Sequence, residues 1–112
     1  MRYLSMIRID ENTDQVPSEQ LMTDMGRLIE ELTQAGSLIS TAGLRPTSEG
    51  MRVRLRRGKL TTIDGPFTET KDVIGGYFMV EAPDYDAAVA VARTCPHMEF
   101  DGSIEVRLVE SR

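Results

Sequence analysis

The chain has 112 residues, 40% of them hydrophobic and 28% charged, enough to bury one core and too few for two. Thirteen Lys and Arg against eighteen Asp and Glu leave a formal net charge of −5, a field that repels phosphate backbones and counts against a nucleic-acid partner. The lone cysteine, Cys95, excludes an intrachain disulfide, and no run nears the ~20 apolar residues of a membrane span, so the sequence reads as cytoplasmic with no membrane partner.

Arg2 and Arg8 interrupt the opening residues before a signal-peptide apolar core is complete. Tyr3 to Ile9 is rich in β-formers with apolar residues on both faces, the pattern of a central strand covered on both sides. Pro17 and Ser18 then offer a helix start. Leu21, Met22, Met25, Leu28, Ile29, Leu32 and Ala35 follow at helical spacing, and Gly36 closes the helix. Ser37 to Ala42 predicts a second strand, and Gly43, Pro46, Ser48 and Gly50 mark a loop.

Met51, Val53 and Leu55 alternate with Arg52, Arg54 and Arg56, which predicts a strand with one apolar and one basic face. Arg57-Gly58 suits a tight turn into Lys59 to Ile63, completing a hairpin. Gly75-Gly76 precedes a β-rich run from Tyr77 to Ala82. Pro83-Asp84 then caps a second helix with Ala87, Ala88, Val91, Ala92 and Cys95 on one face. After Pro96 and a loop to Gly102, Ile104, Val106 and Leu108 alternate with Ser103, Glu105 and Arg107 in a final strand.

The order β-α-β, hairpin, β-α-β predicts a single α+β domain over residues 1–112 with the split βαβ arrangement of ferredoxin-like domains. Two helices cover one face of a sheet of five or more strands, so the other face is left to solvent or to a second copy.

The most distinctive segment is Asp64-Gly65-Pro66-Phe67-Thr68-Glu69-Thr70-Lys71, followed by Gly75-Gly76-Tyr77. It resembles the motif of the DGPF branch of the YCII-related family, and the likeness extends to the opening strand, the Ala35-Gly36 helix end and the closing Glu105-Val106-Arg107. The resemblance implies a dimeric α+β barrel, two ferredoxin-like sheets packed face to face in a homodimer. It also implies a functional link to alternative sigma factors, and it supplies no known reaction. Better-known relatives in the wider group carry a histidine on the first helix and an aspartate before a proline near the second. Here Met25 stands at the first position and Cys95-Pro96-His97 at the second, so a His/Asp mechanism does not transfer.

Turn chemistry alone accounts for the motif as a tight corner. Asp64 accepts bonds from following amides, Gly65 tolerates a positive φ, and Pro66 fixes its own φ. The sharper reading has the corner present Asp64 and Lys71 to a ligand, with Phe67, Gly75 and Gly76 as structural members of the motif. Arg52, Arg54 and Arg56 suit bidentate capture of a carboxylate or phosphate, or else form a salt-bridged face with carboxylates such as Glu105. His97, the only histidine, is the first candidate for proton transfer near neutral pH, although a lone histidine beside a proline in a loop is more often a surface or packing residue. No Cys/His spacing points to a metal, and no phosphate loop or dinucleotide fingerprint points to a cofactor.

These residues favour a small-ligand-binding or regulatory module with Asp64, Tyr77, Arg52, Arg54 and Lys71 nearest a small anionic or polar ligand. The alternatives are a cofactor-independent enzyme of isomerase, lyase or oxygenase type, and a protein whose apolar sheet face serves only to dimerise.

Overall fold

A computed structural model describes residues 1–10, 18–66, 73–96 and 102–110. In chain order the elements are β1 (Arg2–Ile9), α1 (Glu19–Gln34), β2 (Leu38–Gly43), a 3-10 turn (Thr47–Glu49), β3 (Met51–Arg56), β4 (Lys59–Asp64), β5 (Val73–Glu81), α2 (Tyr85–Arg93) and β6 (Ser103–Leu108). Phe67, Lys71 and His97, singled out from sequence, lie outside the described residues, as does Pro17.

Local chemistry fixes both helices. Ser18 Oγ accepts from the Leu21 amide at 3.0 Å and so caps α1. At the other end Gly36, with φ of 73°, lets the Gly36 amide reach Thr33 O and the Ser37 amide reach Leu32 O, the paired bonds of a Schellman stop. Leu21 and Leu28 are buried and Met25 and Leu32 pack on the core, whereas Met22 is 65% exposed, so the apolar stripe is narrower than the sequence spacing predicts. Asp84 caps α2 as expected, accepting from the Ala87 amide at 2.9 Å, and Ala88 and Ala92 seat that helix close to the sheet.

The strands form a four-stranded sheet in the order β2-β5-β1-β6, with every neighbouring pair antiparallel. Each half of the chain contributes two parallel strands with one strand of the other half between them, which is the ferredoxin-like topology. The hairpin β3–β4 stands apart as its own two-stranded sheet, so the five-or-more-stranded sheet expected from sequence is four strands plus an insertion. β5 also begins at Val73, earlier than expected. Gly75 and Gly76 therefore lie inside the strand, where a Cβ would meet the Ile9 side chain at 2.6 Å in one case and Ala42 O at 3.1 Å in the other.

The core lies between the helices and one sheet face, where Tyr3, Ile7, Phe78 and Val80 meet Leu28, Ala88 and Cys95. Burying a side chain such as Val80 or Phe78 contributes about 1.5–3 kcal/mol. Ser5 shares this face between its register partners Phe78 and Val106, and its hydroxyl is buried with no hydrogen-bond partner among the described residues. The Tyr3 and Tyr85 rings meet edge to face at 4.8 Å, and Tyr85 Oη accepts from the Leu108 amide at 2.8 Å. Burial, aided by Tyr85 and Asp84, raises the Tyr3 phenol above its ordinary pKa.

The opposite sheet face carries Leu4, Met6, Tyr77 and Met79, half-buried and, among the described residues, without a covering helix. β1 is therefore covered on one face within the protomer, and the apolar residues on its other face reflect something besides the two helices. Among the described residues no helix is long and apolar enough to cross a membrane.

Candidate functional site

Alternation in β3 puts its arginines on one face, and the hairpin register completes the cluster. Arg57 and Gly58 both take positive φ, 53° and 76°, the backbone of a two-residue I′ turn whose twist matches the flanking strands. That turn pairs Arg56 with Lys59, Arg54 with Thr61 and Arg52 with Ile63. Cross-strand partners share a face, so the basic row of β3 gains Lys59 and Thr61 from β4. Arg54, Arg56, Arg57, Lys59 and Thr61 line an open cleft of about 620 Å³.

The cleft has the chemistry of an anion receptor. Among the described residues no carboxylate is paired with Arg54, Arg56, Arg57 or Lys59, although the chain is acidic overall. Glu105, considered from sequence as an internal partner of the arginine row, instead faces Arg8 at 3.7 Å on the four-stranded sheet. Thr61 Oγ1 donates to Arg54 O at 3.4 Å and ties the two strands at the cleft floor. Guanidinium groups offer planar paired donors, suited to a carboxylate or phosphate.

The other residues singled out from sequence stand elsewhere. Asp64 ends β4 opposite Met51, on the hairpin face that carries Val53 and Leu55 rather than on the arginine face. Tyr77 belongs to β5, where its hydroxyl lies 3.3 Å from Ser40 Oγ. Asp64, Tyr77 and Arg54 are thus held on two sheets and three faces of the protomer. Gly65 differs from expectation in the reason for its presence. Its φ is not positive; a Cβ there falls 1.6 Å from Thr47 O, and its amide donates to Gly50 O at 2.9 Å instead of to Asp64. The corner is a close backbone approach, joined through the cis Gly65–Pro66 bond.

A second, smaller cleft of about 250 Å³ lies between α1 and the end of α2, lined by Asp24, Arg27, Leu28, Glu31, Thr94 and Pro96. Beside it the Cys95 thiol is 3.7 Å from Met25 Sδ, so the two positions compared with the histidine and aspartate of better-known relatives are neighbours in space. Cys95 is buried in the hydrophobic core, where its thiol packs as a small apolar group. No cluster of three metal-ligating side chains occurs among the described residues.

Arg57 and Lys59 are the site residues that alternation alone does not find, since one sits in the turn and the other on the return strand. The Arg57-Gly58 turn is the signal that carries them, because a two-residue loop fixes the register of everything after it.

The family model of the YCII-related domain matches residues 1–111. The chain is also 32% identical over 90 residues to an uncharacterised protein of Rhizobium meliloti (strain 1021), covering 80% of this chain and 73% of that one.

Proposed function

This chain belongs to the YCII-related domain family, and on that footing we propose that it is a homodimeric binding module for a small anion held by the hairpin cleft. The observation that carries this reading is the convergence of Arg54, Arg56, Arg57 and Lys59 on one cleft without a described carboxylate to neutralise them. Uncompensated cations at close range repel one another, and an anion relieves that repulsion while forming charge-assisted bonds. A small ligand fits better than a nucleic acid. Five cations and one carboxylate between Met51 and Asp64 give the hairpin +4, which leaves −9 on the rest of a chain whose total is −5, a body that repels a polyanion. The uncovered sheet face with Leu4, Met6, Tyr77 and Met79 supports the homodimer.

A thermal-shift series with inorganic phosphate and small mono- and dicarboxylates tests the cleft. We expect a saturable rise in melting temperature for at least one anion. Arg54→Ala should weaken its binding by roughly tenfold to a hundredfold, equivalent to a charge-assisted contact of about 1.5–3 kcal/mol. Asp64→Asn, on the other hairpin face, and His97→Ala are the controls and leave the affinity unchanged. No saturable shift with any anion, or a shift that His97→Ala removes and Arg54→Ala does not, overturns the assignment.

A further inference from the structure

The hairpin is oriented opposite to what burial within one protomer would select. Its apolar side chains point outward: Met51, Val53, Leu55 and Leu60 are 67–69% exposed, while Arg52, Arg54 and Ile63 on the basic face are half-buried. Val53 sits opposite Thr62, and Leu55 opposite Leu60, so the four form one continuous strip. Within the protomer β3 and β4 pack chiefly against each other. The radius of gyration, 15.8 Å, exceeds the about 13 Å of a compact chain this long, and the 45 × 39 × 19 Å extents describe a flat slab.

We propose that the β3–β4 hairpin is an arm whose apolar strip docks on a second copy of this chain, leaving the arginines on its other face free to form the anion cleft. This rests on the homodimer proposed above and assigns it a second contact surface. Three observations select a second copy as the occupant. The hairpin carries +4 and the rest of the chain −9, so the body of another copy attracts the arm while two arms repel each other. The body also has an uncovered apolar surface of its own, the face of Leu4, Met6, Tyr77 and Met79, and a stable interface needs about 800 Å² from each partner, which the arm's four side chains alone fall short of. An anionic membrane is disfavoured because the cations lie on the face opposite the apolar strip, whereas insertion needs both directed to the same surface.

The strip holds its own reporter. Met51 and Met22 are 67% and 65% exposed in the protomer, so peroxide should convert both to the sulfoxide at similar rates unless the arm is covered. In the wild-type dimer we expect Met51 to oxidise at least about fivefold more slowly than Met22, and the two rates to converge on dilution to monomer. In sedimentation velocity, Val53→Asp/Leu55→Asp should raise the dimer dissociation constant on the order of a hundredfold with an unchanged far-UV spectrum, while Arg54→Ala stays dimeric. A wild-type monomer at micromolar concentration removes the homodimer itself. A wild-type dimer with equal oxidation of Met51 and Met22 overturns the arm alone and leaves association to the open sheet face. The peroxide comparison uses the unmodified chain and decides the matter if the double variant fails to fold.

Discussion

Replacing Gly65 by alanine probes the corner at the base of the hairpin. The added Cβ would lie 1.6 Å from Thr47 O and 2.7 Å from the Thr47 carbonyl carbon, whereas carbon and oxygen approach no closer than about 3.3 Å. One of the two backbones must therefore move by more than about 1.5 Å, and neither contact is a flexible side chain that swings away. That movement breaks the 2.9 Å bond from the Gly65 amide to Gly50 O and strains the turn closed by the Gly50 amide on Thr47 O. Overpacking of this kind costs about 1–3 kcal/mol and the lost hydrogen bond about 1 more, so the loss should be about 2–4 kcal/mol. Gly58→Ala is the control, because Gly58 has φ of 76° but nothing within 4 Å of a Cβ. It incurs only the left-handed penalty, about 1 kcal/mol. Urea denaturation followed by circular dichroism separates the two. A loss for Gly65→Ala no larger than that for Gly58→Ala would show that the corner opens freely, and the close-approach reasoning would be refuted.

Ser5→Ala should leave stability unchanged or raise it by about 1 kcal/mol, because it removes a buried hydroxyl without a described partner; a drop of that size in urea would mean the hydroxyl is satisfied. For Tyr3 the folded-state pKa is raised, so ionisation is disfavoured in the native state. Its stabilising contribution is complete below the unfolded phenol pKa of about 10 and is lost as pH rises toward and through the higher folded value. Tyr3→Phe should accordingly shift the midpoint of alkaline unfolding, read by circular dichroism, to higher pH, and an unmoved midpoint would place the alkaline transition elsewhere.

Much of the architecture is legible in the sequence because each element has a local signature. Ser18 and Gly36 bracket α1, Asp84 opens α2, and strict alternation with Arg57-Gly58 defines the hairpin. What misleads is residue chemistry with two physical causes. Gly75-Gly76 reads as punctuation, yet both glycines sit in a strand that needs room for Ile9 and Ala42. Gly65 reads as a positive-φ residue and is instead a point where two backbones nearly touch. Alternation in β3 shows that the strand has two unlike faces without showing which one is turned away from the body. That choice depends on what the hairpin packs against, which periodicity does not encode. The arginine row was visible for the same reason that its full membership was not, since Lys59 and Arg57 join it through register and turn geometry rather than through spacing along one strand.

The sheet closes behind the hairpin. Gly43 pairs with Gly76, and the Leu44 amide donates to Gly75 O at 2.9 Å, so the chain that carries the hairpin leaves the β2–β5 ladder and rejoins it at a single hydrogen-bonded gate. For the ladder of β2 and β5 the whole excursion is one long turn, and lengthening such a turn costs only about 0.6 kcal/mol per doubling. The scaffold is therefore nearly indifferent to what hangs from that gate. Insertions, trimmed strands or a different charge pattern can arise there while the ladder on the other side stays in register. A protein built this way can change what it recognises by exchanging a cassette.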